Sequence, residues 1–260
     1  MQYPGGLVPP PEIDGEGNPI ILATDPDASE RAAMPSRIQL KAEDGHALGG
    51  YLSTRGDPPI GLVVVQEIFG VNAHMRRVCD ALAGETGYSV IAPALFDRVE
   101  RGVELGYGAE DVARGRALRA GLTDTDILRD IKAAAAAHGK RRVGIVGYCF
   151  GGTVAWYSAT RLQRFSAASC WYGGGIPASR GETPRCPVQM HFGEADASIP
   201  MNEVARIREA QPGVEIFTYP NAQHGFGCDD RASYSDADAK LAKDRTVAFF
   251  ARHLGTVAAG

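Results

Sequence analysis

The chain has 260 residues, 44% of them apolar and 22% charged, the make-up of a globular protein with a substantial buried core. Its 27 Lys and Arg against 31 Asp and Glu leave a formal charge of −4. That balance speaks against nucleic acid or an anionic membrane as the principal partner, because both select a basic face. Five cysteines (Cys79, Cys149, Cys170, Cys186 and Cys228) include no C-x-x-C pair, so neither a zinc site nor a disulfide framework is expected. No apolar run reaches transmembrane length, and residues 1–19 lack the basic start and apolar middle of a secretory signal. The expectation is a soluble cytoplasmic protein with reduced thiols.

Residues 1–35, rich in Gly and Pro, read as an irregular leader, and residues 36–260 as one domain. Residues 37–42 and 48–53 flank the turn Glu43-Asp44-Gly45 and predict an antiparallel hairpin. The continuous β-branched run 60–65 predicts a strand buried on both faces. Residues 73–86 carry Met75, Val78, Cys79 and Leu82 at helical spacing, and 88–92 reads as the next strand. Helices follow over 111–120 and 125–137, the second with Asp124 as its cap and Gly139 as its stop. Strand 142–146 runs into a helix ending near Leu162. Strands 167–171, 187–192 and 215–219, with helices 200–210 and 236–253, complete the pattern. Strands alternating with helices specify an α/β fold: a mostly parallel sheet with helices on both faces and the hairpin as an antiparallel edge.

Gly147-Tyr148-Cys149-Phe150-Gly151-Gly152 follows the apolar run Val143 to Val146. It reads as the G-x-S-x-G nucleophile elbow of an α/β hydrolase with cysteine in the serine's place. Small residues two before and two after Cys149 let strand and helix approach closely. The thiol is then presented at the carboxyl edge of the sheet. The other four cysteines lack this setting and read as core or surface thiols. His224, in Asn221-Ala222-Gln223-His224-Gly225-Phe226 between the last strand and last helix, is the expected general base. Asp196 follows strand 187–192 and completes the order nucleophile, acid, histidine. Its role would be to hold the imidazole tautomer. Glu194 is the rival acid. Glu67 ends the buried strand, where a carboxylate faces the same cleft as the elbow.

Gln66-Glu67-Ile68-Phe69-Gly70-Val71-Asn72, the elbow, the Gly193 to Asp196 segment and His224-Gly225-Phe226 together resemble dienelactone hydrolase (carboxymethylenebutenolidase). The resemblance covers residues 36–254. It implies a cofactor-free, metal-free hydrolase that opens a small lactone through a thioester on Cys149, with Asp196 and His224 completing the triad. It further implies an oxyanion hole from the backbone N–H groups of Ile68 and Phe150. Glu67 would hold the resting thiol neutral and accept its proton once substrate binds. A free thiol has a pKa of about 8.5 and is only a few per cent thiolate at neutral pH, so a switched activation keeps the sulfur from oxidation between turnovers.

The family pattern also implies two arginines that read a substrate carboxylate. One falls at Cys228 here, beside Asp229 and Asp230, with Arg231 three residues on as a substitute. The other falls in the helix before the elbow, where Arg114 and then Arg116 are the candidates. A broader carboxylesterase or thioesterase on the same fold is the competing enzyme reading. A non-catalytic binding protein is the reading from another class, and it predicts a damaged triad. The expected partner is a small lactone or ester, with no nucleic acid or membrane. No stretch marks an interface, so a monomer is expected.

Overall fold

In a computed structural model that describes residues 35–257, the hairpin forms from β1 (Ser36–Lys41) and β2 (Ala47–Ser53). The leader assigned to residues 1–35 lies, except for its last residue, outside the described residues. Then come β3 (Ile60–Val65), α1 (Ala73–Thr86), β4 (Ser89–Pro93), a 3₁₀ turn (Leu95–Arg98), α2 (Ala109–Ala120) and α3 (Asp124–Ala137). The second half runs β5 (Arg142–Tyr148), α4 (Phe150–Arg161), β6 (Ala167–Trp171), α5 (Ile176–Ser179), β7 (Val188–Gly193), α6 (Met201–Ala210), β8 (Glu215–Tyr219) and α7 (Asp236–Leu254).

The strands form one eight-stranded sheet in the order β1-β2-β4-β3-β5-β6-β7-β8. The β1/β2 and β2/β4 pairs are antiparallel and the rest parallel. All six residues of β3 are buried, as its unbroken apolar run requires. Contacts pair α1 with α7 and α3 with α4, so helices cover both faces. The order reverses at β3: α1 carries the chain outward to β4, whereas α2 and α3 carry it back to β5 on the other side. In open α/β sheets that switch point, at the carboxyl ends of the two diverging strands, is where ligands bind. Here those ends carry Glu67 and Cys149.

Two helix starts depart from the sequence reading. Thr123, not Asp124, caps α3, its Oγ1 accepting from the Asp126 N–H at 3.1 Å. In α2, Asp111 is the third residue rather than the first; its carboxylate accepts from the Gly108 N–H at 3.2 Å, so the helix begins two residues earlier. Asn72 caps α1 by accepting from the Met75 N–H at 3.1 Å, while left-handed Gly87 ends it at φ 69°. The short helical turns at Leu95–Arg98 and Ile176–Ser179 have no periodicity of their own to announce them.

Candidate active site

The elbow is built by steric exclusion. Cys149 adopts φ 56° and ψ −114°, one of two non-glycine residues with positive φ among those described. Such a conformation persists only where its surroundings enforce it. The Cys149 N–H donates to Trp171 O at 3.0 Å, which locks the turn to β6. A Cβ on Gly147 would overlap the Gly151 carbonyl, one on Gly151 the Val65 carbonyl, and one on Gly152 the Trp171 carbonyl. The glycines around the thiol are therefore demanded by backbone contacts on three sides. Gly147→Ala is expected to destabilise the fold by about 3 kcal/mol, because rigid main chain has to move. A thermal melt lowered by less than a few degrees would show that the elbow can relax.

Cys149 Sγ lies 3.0 Å from His224 Nε2, and His224 Nδ1 lies 2.7 Å from Asp196 Oδ2. Asp196 is buried and Glu194 exposed, so the imidazole meets the former of the two sequence candidates. The acid and histidine loops are tied together: the Glu194 N–H donates to Tyr219 O at 2.9 Å and the Ala195 N–H to Ala222 O at 3.0 Å. Asp196 also accepts from the Ser198 N–H at 2.7 Å. Burial raises the pKa of Asp196, but the bond from His224 and nearby backbone N–H groups outweigh it and the net direction is down. Burial lowers that of His224, yet the bonds to Asp196 and Cys149 carry it up to about 10. Nε2 of the imidazole thus stands within proton-transfer reach of the sulfur.

Glu67, buried two residues past β3, makes no hydrogen bond to the thiol. Its Oε1 accepts from Arg231 Nη1 at 3.2 Å, and its Oε2 is buried with no hydrogen-bond partner. The resting bond implied by the resemblance, glutamate to thiol, is thus replaced by imidazole to thiol and arginine to glutamate. The physical reason is desolvation: a buried carboxylate needs a cation more than a neutral S–H. Burial pushes the Glu67 pKa upward against the opposing pull of Arg231, His74 and His224.

Arg231 reaches in because the chain after His224 coils tightly. The N–H groups of Phe226, Cys228 and Arg231 donate to Gln223 O, Gly225 O and Cys228 O in succession. Gly225, at φ 78°, leaves the room that the Arg231 guanidinium occupies; a Cβ there would collide with it. Cys228 is buried instead. The adjacent acids do not stand free to repel an anion: Asp229 meets His74 Nδ1 at 2.8 Å and Arg77 Nη2 at 2.9 Å, and Asp230 meets Arg77 Nη2 at 2.8 Å. Arg114 points elsewhere, pairing with Glu100 at the surface. The α2 arginine found against the elbow is Arg119, whose guanidinium lies 4.9 Å from the Phe150 ring centroid.

Ile68 and Phe150 follow Glu67 and Cys149 directly, just past the carboxyl ends of β3 and β5. Phe150 is the first residue of α4, where a helix leaves its N–H groups without intrahelical acceptors. Gly115 of α2 packs against the Ile68 carbonyl so closely that a Cβ would overlap it, which seats the peptide between Ile68 and Phe69 against α2. Tyr172 went unnoticed in the sequence. It holds φ 36°, packs edge-on to His224 with centroids 5.2 Å apart, and buries a hydroxyl with no partner. Only its position one residue past β6, at the same sheet edge, could have flagged it.

A strained residue at a strand-to-helix turn beside the switch point, followed in chain order by a carboxylate and an imidazole on later loops, is the layout of the α/β-hydrolase fold. Residues 48–254 match the description "Dienelactone hydrolase family", and the chain belongs to that family of hydrolases. A Synechocystis protein named "Putative carboxymethylenebutenolidase" is 36% identical over 230 residues, covering 80% of this chain and 92% of its own. A Salmonella typhimurium protein of the same name is 33% identical, covering 75% of this chain and 77% of its own. A crystal structure from Klebsiella pneumoniae, described as a "Putative Dienelactone Hydrolase", superposes with a TM-score of 0.71 at 31% identity, covering 84% of this chain and 99% of its own. No helix among the described residues is long and apolar enough to cross a membrane.

Proposed function

We propose that the protein hydrolyses a small lactone or ester through a thioester on Cys149. The observation that supports this most directly is the contact chain Cys149–His224–Asp196, at 3.0 and 2.7 Å, facing the Glu67–Arg231 pair across the switch point. Glu67, released from Arg231, takes the thiol proton, and Sγ bonds to the substrate carbonyl carbon as the carbonyl electron pair moves onto oxygen. The N–H groups of Ile68 and Phe150 receive that oxyanion, each worth about 3 kcal/mol in the transition state. Collapse breaks the acyl C–O bond, and the departing oxygen takes a proton from the imidazolium. Water, deprotonated by the now neutral His224, then attacks the thioester; the acid leaves and Sγ takes back the proton held on Glu67.

Glu67 is the switch in this scheme. A substrate carboxylate that competes for Arg231 frees Glu67 to swing toward Sγ and accept its proton, so the thiolate forms when an acyl group is present. Arg231 is then the arginine that senses the substrate anion, as a dienelactone of the family type would require. The pairing of Arg114 with Glu100 favours a second reading, in which neutral esters are also turned over.

A rate comparison over a carboxylated dienelactone, the same ring without its carboxylate, an aryl ester and an acyl thioester tests both. The first reading predicts the carboxylated lactone at least tenfold ahead in kcat/KM; equal rates would favour the second. Glu67→Gln is expected to lower kcat on the carboxylated lactone by about a hundredfold, a general-base contribution, with the far-UV spectrum unchanged. Unaltered turnover would remove Glu67 from the chemistry and leave the triad standing.

A further inference from the structure

Glu67, His74 and Cys228 each offer one donor atom, and the three donors lie within 4.8 Å of one another, all on buried residues. The residues come from the end of β3, the first turn of α1 and the loop after His224. We propose that they form a binding site for a borderline-soft divalent cation, with zinc the best fit. A carboxylate oxygen, an imidazole nitrogen and a thiolate sulfur are the donor types zinc takes in proteins.

Independent observations point the same way. Glu67 Oε2 is buried and unpartnered while Arg231 holds Oε1, so an acceptor is left over on the side away from the guanidinium. The Nδ1 of His74 is committed to Asp229 Oδ1 at 2.8 Å, and Nε2 has no partner among the described residues. A carboxylate on the far nitrogen of an imidazole is the arrangement that orients metal-ligating histidines and fixes their tautomer. Metal–ligand bonds of about 2.0–2.3 Å at the tetrahedral angle set donors about 3.5 Å apart, so the cluster closes by no more than about an ångström on binding. A dication would share the Glu67 carboxylate with Arg231 and meet one thiolate; binding forms a metal–sulfur bond and releases the thiol proton to solvent. A cavity of about 420 Å³ is lined in part by His74 and by Gly227 and Asp229, the residues on either side of Cys228. The neighbouring grouping of His74, Asp229 and Asp230 includes exposed residues, and Arg77 already occupies both its carboxylates.

An ion on Glu67 would hold that carboxylate away from Cys149, so metal binding would switch hydrolysis off; this consequence alone rests on the function proposed above. The test is a titration of the chelator-treated full chain with cobalt(II). A sulfur-to-cobalt charge-transfer band should grow to one equivalent, persist in Cys149→Ala and vanish in Cys228→Ser. His74→Gln, which leaves every thiol in place, should weaken binding at least tenfold, and Asp229→Asn about 10–100-fold; melting curves without metal verify that each variant is folded. No band in the native chain, a band lost in Cys149→Ala but kept in Cys228→Ser, or unchanged affinity in His74→Gln would each overturn the site. Zinc should also inhibit ester hydrolysis reversibly, with relief by chelator. The cobalt results above without inhibition would uphold the site and remove Glu67 from the proposed chemistry.

Discussion

Cys149→Ala is expected to lower lactone and ester hydrolysis by about 10⁴-fold or more, the loss that follows removal of a nucleophile acting as a unit with its base. The fold should survive. Alanine keeps the Cβ, and the elbow is held by the Cys149 N–H bond to Trp171 O and by the glycine contacts rather than by the thiol. Cys149 is only partly buried, so deleting one sulfur opens little cavity. Cys170→Ala is the matched control, because Cys170 is fully buried in β6 with no imidazole bonded to it. Initial rates, far-UV spectra and melting curves of the two variants decide the matter. Turnover near the native rate in Cys149→Ala would place the nucleophile elsewhere and sink the proposed function.

Arg231→Met should be the most destabilising single change at the site, and its effect should depend on pH. Removing the partner of a buried charge typically costs about 3–5 kcal/mol, and Glu67 has no other hydrogen-bonding partner for Oε1. The folded-state pKa of Glu67 already lies above its ordinary 4.5, chiefly through burial, and losing Arg231 raises it further. The folded chain therefore binds the proton more tightly than the unfolded chain. The contribution of Glu67 to stability is therefore fully present below about pH 4.5 and is lost as pH rises through its folded-state value. Arg231→Met should thus lose little at pH 5 and most at pH 8 in denaturant titrations. The double variant Glu67→Gln/Arg231→Met should recover much of the loss and flatten the profile, since no buried charge is left alone. A pH-independent deficit, uncorrected by Glu67→Gln, would mean that Arg231 acts through packing over Gly225 instead.

Features of this chain that depend on short stretches were legible before any coordinates. The run Ile60 to Val65 is apolar throughout because both faces of β3 are covered, and hydrophobicity alone carries that signal. The elbow was legible because backbone collisions on every side admit only glycine at 147, 151 and 152. Strand–helix alternation then implied parallel pairing. The α3 cap slipped by one residue, to Thr123, and the start of α2 by two, because several neighbouring oxygens can each accept the same free N–H groups.

What the sequence by itself determined is therefore the α/β architecture and the identity of a thiol, an imidazole and an acidic segment at one sheet edge. Those follow from periodicity, steric exclusion and chain order, which are local or additive properties. The tertiary structure decided which groups meet. It set Asp196 rather than Glu194 against the imidazole, and coiled the loop so that Arg231 passes over Gly225 to Glu67 while Cys228 turns inward. It also sent Arg114 to Glu100 and brought Glu67, His74 and Cys228 together from three separate segments. Pairings of this kind depend on loop paths set by packing across the whole sheet, and on which buried charge must find a counter-charge. No short window of sequence contains either.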